Sequence, residues 1–256
     1  VLRNNRNKRY KYGEFIVEGV RNINIAIKNG WCFSSLIYTD EILLSDWAKN
    51  IISSVETDIN YVLTYALMKE LSGKKDTSEL IAIVKMRDDR PESLMLSEKP
   101  LIVLFDRPSN KGNLGTLIRS CDAFGADCLI ITGHAVDLYD SEVITAGMGS
   151  FFSLSVIRIA ENKTVNEMIG KLKAQHPDLK VIATTSHRKT ALYEEALDCP
   201  CVVMIGNETE GLSNNYYELA DTAVSIPMAE KSSASSFNVA CAASVILYEI
   251  VRQRRE

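Results

Sequence analysis

The sequence predicts an α/β chain in two parts, the larger built on a parallel sheet with helices on both faces. Residues 93–256 carry the apolar runs LIVLF, CLIITG, FFSLSVIRIA, KVIATTS, CVVMIG and TAVSIPM, separated by helix-length polar or amphipathic segments. Continuous apolar strands alternating with helices mark a parallel sheet buried on both sides. Residues 1–92 show shorter apolar runs alternating with helical patterns, which suits a compact α/β unit. Between the two, RDDRPESLMLSEKP is polar, holds two prolines and reads as a linker. A chain of 256 residues, 46% hydrophobic, can bury a full core as one large or two medium domains.

Taken in order, the first twelve residues form a basic tail in which Arg3, Arg6, Lys8, Arg9 and Lys11 occur without an acid. Such a run suits a polyanion backbone, and equally a solvated, frayed end. FIVEGVRNINIAIKNG predicts a strand entering a helix that stops at Gly30, and CFSSLIYT a strand. SDWAKNIISSV predicts a helix capped by Ser45, and SELIAIVKM a closing strand. In the second part, ligands are expected at the carboxyl ends of the strands. Four of those ends are chemically distinctive: NKGNLGTLIR, TTSHRK, GNETEGLS and IPMAEKSSASSFN. The last helix is predicted to start near Ser235 or Ser236, with small residues from Ala240 to Ser244 that admit a close neighbour. Arg252, Arg254 and Arg255 oppose its C-terminal dipole.

The formal net charge of −4 argues against a surface coated in basic residues, though not against a local patch. No apolar run reaches the roughly 20 residues that span a bilayer, and the basic N-terminus is not followed by an apolar signal segment, so no membrane partner is expected. The start at Val1 reads as trimmed. Six cysteines without paired spacing and three histidines point to reduced thiols in a cytoplasmic protein, with no metal site.

Pro108 to Asp127, PSNKGNLGTLIRSCDAFGAD, places Asn and Gly between a strand and a helix, and a helix N-terminus of that kind first suggests a phosphate. Arg119 would lie one turn into a helix starting near Gly115, where it could clamp an anion or pair with Asp122 or Asp127. GNETEGLS has the glycine spacing of a P-loop, but Leu212 stands where lysine is needed, and Glu208 and Glu210 would repel a triphosphate. The turn holding Gly112 and Gly115 also lacks the third glycine of a dinucleotide fingerprint. Asn238, polar in the first turn of an apolar helix, needs a partner, because an unsatisfied buried amide costs about 1–3 kcal/mol.

Together, NLGTLIRSCDAFGAD, VVMIGNETEGLS and SIPM followed by SSFNVACAAS resemble the SpoU/TrmH family of SPOUT RNA methyltransferases. The first motif is matched by Asn113, Gly115 and Arg119, the second by Gly206, Glu208, Gly211 and Leu212. The third is matched by Ile226, Pro227, Met228, Ser236, Asn238 and Val239, with Phe237 in place of Leu. The segment RNKRYKYGEFIVEGVRNINIAI is similar to that family's small RNA-binding domain. Two departures are Glu230, where the family often has Gly, and a longer loop, AEKSSASSF.

The resemblance implies a knotted methyltransferase domain over 93–256, with a deep trefoil knot, and an RNA-binding domain over 1–92. It implies S-adenosylmethionine (AdoMet) as cofactor, bound by Thr184, Thr185, Ser186, Gly206, Asn207, Gly211, Ile226, Met228 and Ser236. It implies methyl transfer to a ribose 2′-hydroxyl, in ribosomal RNA before transfer RNA, with Arg119 on the acceptor and Asn113, Glu208 and Asn238 positioning it. Arg6, Lys8 and Arg9 would contact RNA, and two copies would pair through the knotted domain. The competing expectations are a non-catalytic RNA-binding or ribosome-assembly protein on the same fold, and a Rossmann-type nucleotide enzyme.

Overall fold

The computed structural model describes residues 1–89, 91–187 and 190–255, so Arg188 and Lys189 of TTSHRK lie outside the described residues. The chain divides into two compact units, Val1–Asp88 with Asp137–Ser153, and Asp89–Val136 with Leu154 onward. The elements of residues 1–88 are α1 (Arg6–Tyr12), β1 (Glu14–Glu18), α2 (Val20–Lys28), β2 (Phe33–Tyr38), α3 (Asp46–Ser54), β3 (Tyr61–Val62), α4 (Tyr65–Leu71) and β4 (Leu80–Lys85). There follow β5 (Leu101–Asp106), α5 (Lys111–Ala123), β6 (Cys128–Thr132), α6 (Ser141–Gly147), α7 (Ser150–Ser153), β7 (Ser155–Ile159) and α8 (Asn162–Gln175). The rest are β8 (Lys180–Thr184), β9 (Thr190–Ala191), β10 (Cys201–Ile205), α9 (Asn214–Leu219), β11 (Thr222–Ser225) and α10 (Val239–Arg255).

In the first unit the sheet order is β1-β4-β2-β3, with β4 antiparallel to both β1 and β2. Ser45 caps α3 by accepting from the Ala48 amide at 3.2 Å, as its position before a helical pattern predicts. The basic segment is not a frayed tail. Asn5 caps α1, accepting from the Lys8 amide, and Gly13 closes the helix at φ 67°. Arg9 is 2% exposed and donates to Asp137 at 2.7 Å, to Asp140 at 3.3 Å and to the carbonyls of Leu2 and Arg3. Its placement on an RNA surface is therefore corrected: a buried charge is tolerated only when fully paired, and these partners saturate the guanidinium.

The expectation of a single strand through FFSLSVIRIA also changes. Ser150–Ser153 is helical, and the strand begins only at Ser155. Phe151 and Phe152 pack with Phe15 and Trp31 in one aromatic cluster, and the Trp31 indole donates to the Phe152 carbonyl at 2.9 Å. Burying those rings in the first unit outweighs the β propensity of the run. The segment read as a linker is packed instead, beginning with Arg87, which stands 4.1 Å over the Trp31 ring and donates to the Asn29 carbonyl at 2.6 Å. Beyond it, Leu94 and Leu96 pack on the core of the second unit, and Asp127 accepts from the Ser97 amide at 2.7 Å.

The second unit is a sheet of order β7-β6-β5-β10-β8-β11-β9 whose paired neighbours all run parallel. Ile102, Leu104, Val202 and Met204 form one core with Val165, Ile169 and Leu172 of α8 and Tyr216 of α9. The alternate residues Val103, Phe105, Val203 and Ile205 are buried as well, so both faces are covered. α5 packs along α10, where the Ser120 and Ser244 hydroxyls meet at 2.7 Å. Because β5, β10, β8 and β11 are successive neighbours, the four distinctive strand ends gather at one edge. The six cysteines are free, and burial pushes the Cys128 thiol up to about 12.

Candidate active site

α5 starts at Lys111, earlier than the Gly115 start that the glycine-rich pattern suggests. Asn110 makes the difference: its side chain accepts from the Asn113 amide at 2.9 Å and nucleates the first turn. The donors at this helix start already hold an anion from the protein itself. Glu208 accepts from the amide and hydroxyl of Ser109 at 2.9 and 2.7 Å, from the Asn110 amide at 3.1 Å and from Asn113 Nδ2 at 3.3 Å. The phosphate suggested for this helix start is thereby replaced by a carboxylate. Partial burial of Glu208 opposes its ionisation, but the hydrogen bonds from Ser109 and Asn113 prevail and hold its pKa below the ordinary range.

Asn113 links this carboxylate to the last helix. Its Oδ1 accepts from Asn238 Nδ2 at 3.0 Å, while Asn238 Oδ1 accepts from the amides of Ala240 and Cys241 at 2.9 and 3.3 Å. Asn238 is exposed, so no burial penalty demands its partner; Asn113 nonetheless engages it, and Asn238 caps a helix that begins at Val239 rather than near Ser235. Asn113, Glu208 and Asn238 form one hydrogen-bonded chain.

Arg119 does not join them. It is exposed and makes no hydrogen bond or ion pair with another described residue. Six residues beyond Asn113, it sits about 9 Å further along α5 and about 120° around it. Asp127 does not pair with it, because that carboxylate accepts from Ser97 and from the Leu101 amide. A guanidinium on a helix surface without a partner among the described residues is available to an external anion.

Thr184, Thr185, Ser186, Gly206, Asn207, Gly211, Ile226, Met228 and Ser236 all line one cavity of about 370 Å³. Ile205, Leu212, Val224, Val239 and Ile246 add apolar wall, and His187, Phe237, Glu208 and Glu210 are among the remaining lining residues. Thr184 is fixed by donating to the Met204 carbonyl at 2.8 Å, and Thr185 by donating its amide to the Val224 carbonyl at 3.1 Å. Apolar walls with threonines, two serines and an asparagine among the lining fit a flat heterocycle joined to hydroxyl and amino groups, as in an adenosyl cofactor. The loop after β10 needs glycine at two positions, one for space and one for backbone conformation. A Cβ on Gly206 would lie 2.2 Å from the Leu212 nitrogen, and Gly211 has φ +70°. Asn207 and Gly211 exchange two backbone hydrogen bonds of 3.0 Å, closing the loop on itself.

Sequence reasoning passed over Asp106 and Arg107 at the end of β5. Asp106 is 2% exposed and accepts from the Thr132 hydroxyl at 3.1 Å and the Ser213 amide at 2.9 Å. Two charges ending an apolar strand were the available signal. In the first unit, Arg6 is exposed and stands over the Tyr10 ring, and Lys8 stands over Tyr12. Among the described residues no group of three or more His, Cys, Asp or Glu could hold a metal ion, and no helix is long and apolar enough to cross a membrane.

A parallel α/β unit thus carries an Asn-Glu-Asn hydrogen-bonded chain beside a cavity at its strand ends. The chain belongs to the SpoU rRNA Methylase family, whose model matches residues 100–248, and residues 1–82 match the SpoU L30e-like domain. It is 41% identical over 255 residues, 99% of this chain and 88% of the relative, to the 23S rRNA (uridine(2479)-2′-O)-methyltransferase of Streptomyces viridochromogenes. The crystal structure of the SpoU methyltransferase AviRb from the same organism, in complex with the cofactor AdoMet, superposes with a TM-score of 0.93. It is 41% identical, covering all of this chain and 96% of that one. A crystal structure of an RNA 2′-O ribose methyltransferase gives a TM-score of 0.78 at 30% identity, covering 98% and 93%.

Proposed function

We propose that this chain transfers a methyl group from AdoMet to the 2′-hydroxyl of a ribose in ribosomal RNA, a uridine of the large-subunit RNA being the acceptor that the 41% identical relative favours. The observation that carries this reading is the joining of Asn113, Glu208 and Asn238, one from each motif, at the strand ends that also bear the cavity. When bound, AdoMet supplies an electrophilic methyl on a sulfonium. Glu208 anchors the start of α5 and holds the Asn113 amide. Asn113 and Asn238, each fixed by the other, leave little side-chain freedom to lose when an acceptor docks. Arg119 binds the acceptor phosphate beside the 2′-oxygen, and the hydroxyl proton leaves to that phosphate as the oxygen accepts the methyl; a guanidinium does not give up its own proton, so Arg119 stabilises and orients rather than acting as base.

The first unit supplies RNA contacts through Arg6, which is exposed, and Lys8, which is half-buried, rather than through the buried Arg9. Two copies pair through the second unit, with its deep trefoil knot. The outward residues Val245 and Tyr248 of α10, 42% and 57% exposed, support that surface. A cytoplasmic location fits six cysteines without disulfide partners and the proposed RNA substrate.

The test is transfer of labelled methyl from AdoMet into total RNA, followed by mapping of the product. A 2′-O-methylated ribose at one site in ribosomal RNA is expected. Calorimetric AdoMet binding without transfer to ribosomal RNA would overturn the acceptor, and absence of AdoMet binding would overturn the reaction.

A further inference from the structure

We infer that Arg107 is a positioning residue for methyl transfer, fixing the loop of residues 206–213 and, through it, both the cavity wall and Glu208. The inference rests on the function proposed above. Arg107 adopts φ +50°, a left-handed conformation that residues with side chains rarely take. Its carbonyl accepts from Asn207 Nδ2 at 2.7 Å. Its guanidinium grips both oxygens of Asp106 at 3.1 Å, donates to the Gly211 carbonyl at 3.3 Å and pairs with Glu210. Asp106 in turn accepts from the Ser213 amide at 2.9 Å. One arginine and its aspartate thus hold the loop at residues 207, 210, 211 and 213.

Neighbouring residues are shaped around this side chain. A Cβ on Gly133 would come within 2.7 Å of Arg107 Cγ, so the end of β6 must be bare where the arginine crosses it. Asn207, held by Arg107, accepts from the amides of Thr209 and Glu210 at 2.8 and 3.0 Å and so sets the turn that presents Glu208. Lysine cannot reproduce the contact, since it lacks the planar fork that meets a carboxylate with two donors.

The experiment compares wild type with Arg107→Gly, which keeps the left-handed backbone and removes the fork, with Arg107→Lys, and with Glu210→Gln. Three readouts are taken: amide hydrogen exchange of residues 206–213 without cofactor, AdoMet affinity by calorimetry, and the KM and kcat of transfer. Arg107→Gly should speed exchange in the loop and weaken AdoMet by about tenfold, the effect of losing one charge-assisted hydrogen bond. Arg107→Lys should recover part of this, and Glu210→Gln should shift it less in the same direction. Loop exchange as in wild type with AdoMet affinity within about twofold, well below the loss expected of one such bond, would overturn the inference. Should Arg107→Gly fail to fold, unchanged loop exchange in Glu210→Gln would overturn it equally. A wild type that binds no AdoMet, yet whose loop loosens on Arg107 substitution, would overturn the proposed function and uphold the clamp.

Discussion

The N-terminal basic segment and the strand-end site each display a conspicuous arginine, and the fold treats the two oppositely. Arg9 is buried among carboxylates from a segment 128 and 131 residues away, whereas Arg119 stands exposed on α5 with no described partner. In the first region the side chain is locked and serves folding. In the second the backbone and loops are locked, by Asn110, Glu208 and Gly206, so that a side chain remains free. Density of charge along a sequence does not say which arginine can meet a ligand; the partners that folding brings do.

The largest effect should come from unlocking the second region. Gly206→Ala forces a Cβ to within 2.2 Å of the Leu212 nitrogen, so the loop must move and calorimetry should detect no AdoMet binding. Next, Arg9→Ala leaves Asp137 and Asp140 buried without their cation and should cost about 3–5 kcal/mol in urea unfolding. A cost below about 1 kcal/mol, the range of a surface pair, would return Arg9 to the surface and dissolve the contrast.

A smaller effect concerns Glu208. Its pKa is lower in the folded protein, so its stabilisation is complete above the ordinary glutamate value of about 4.3 and is lost as pH falls through the lower folded value. Glu208→Gln should flatten the acid limb of a stability–pH curve, measured by denaturation below about pH 4.3. Smallest of all, Arg6→Ala and Lys8→Ala should each reduce the salt slope of RNA binding by about one unit or less, with AdoMet affinity unchanged. Arg9→Met, in contrast, should leave that slope as it is.

The parallel sheet was open to reading because strands such as CVVMI, buried on both faces, need continuous apolar runs. The convergence of Asn113, Glu208 and Asn238 was foreshadowed by their motifs, yet their hydrogen-bond order depends on β10 lying beside β5, which no local pattern announces. Three features escaped for identifiable reasons. The helical turn at Ser150–Ser153 answers to an aromatic cluster with Phe15 and Trp31, a non-local contact. The burial of Arg9 depends on acids more than a hundred residues downstream. Arg107 gains its place from a positive φ that arginine does not advertise.

The most direct test of the contrast is single-turnover methyl transfer into ribosomal RNA by Arg119→Ala, with AdoMet affinity measured in parallel. Arg119 is not among the residues that line the cavity, so affinity should stay within about twofold while transfer falls by about 100-fold or more, the scale of one preorganised charge contact at a reacting oxygen. Transfer at the wild-type rate would contradict the account, showing that the exposed, unpartnered arginine is surface and that another group meets the acceptor.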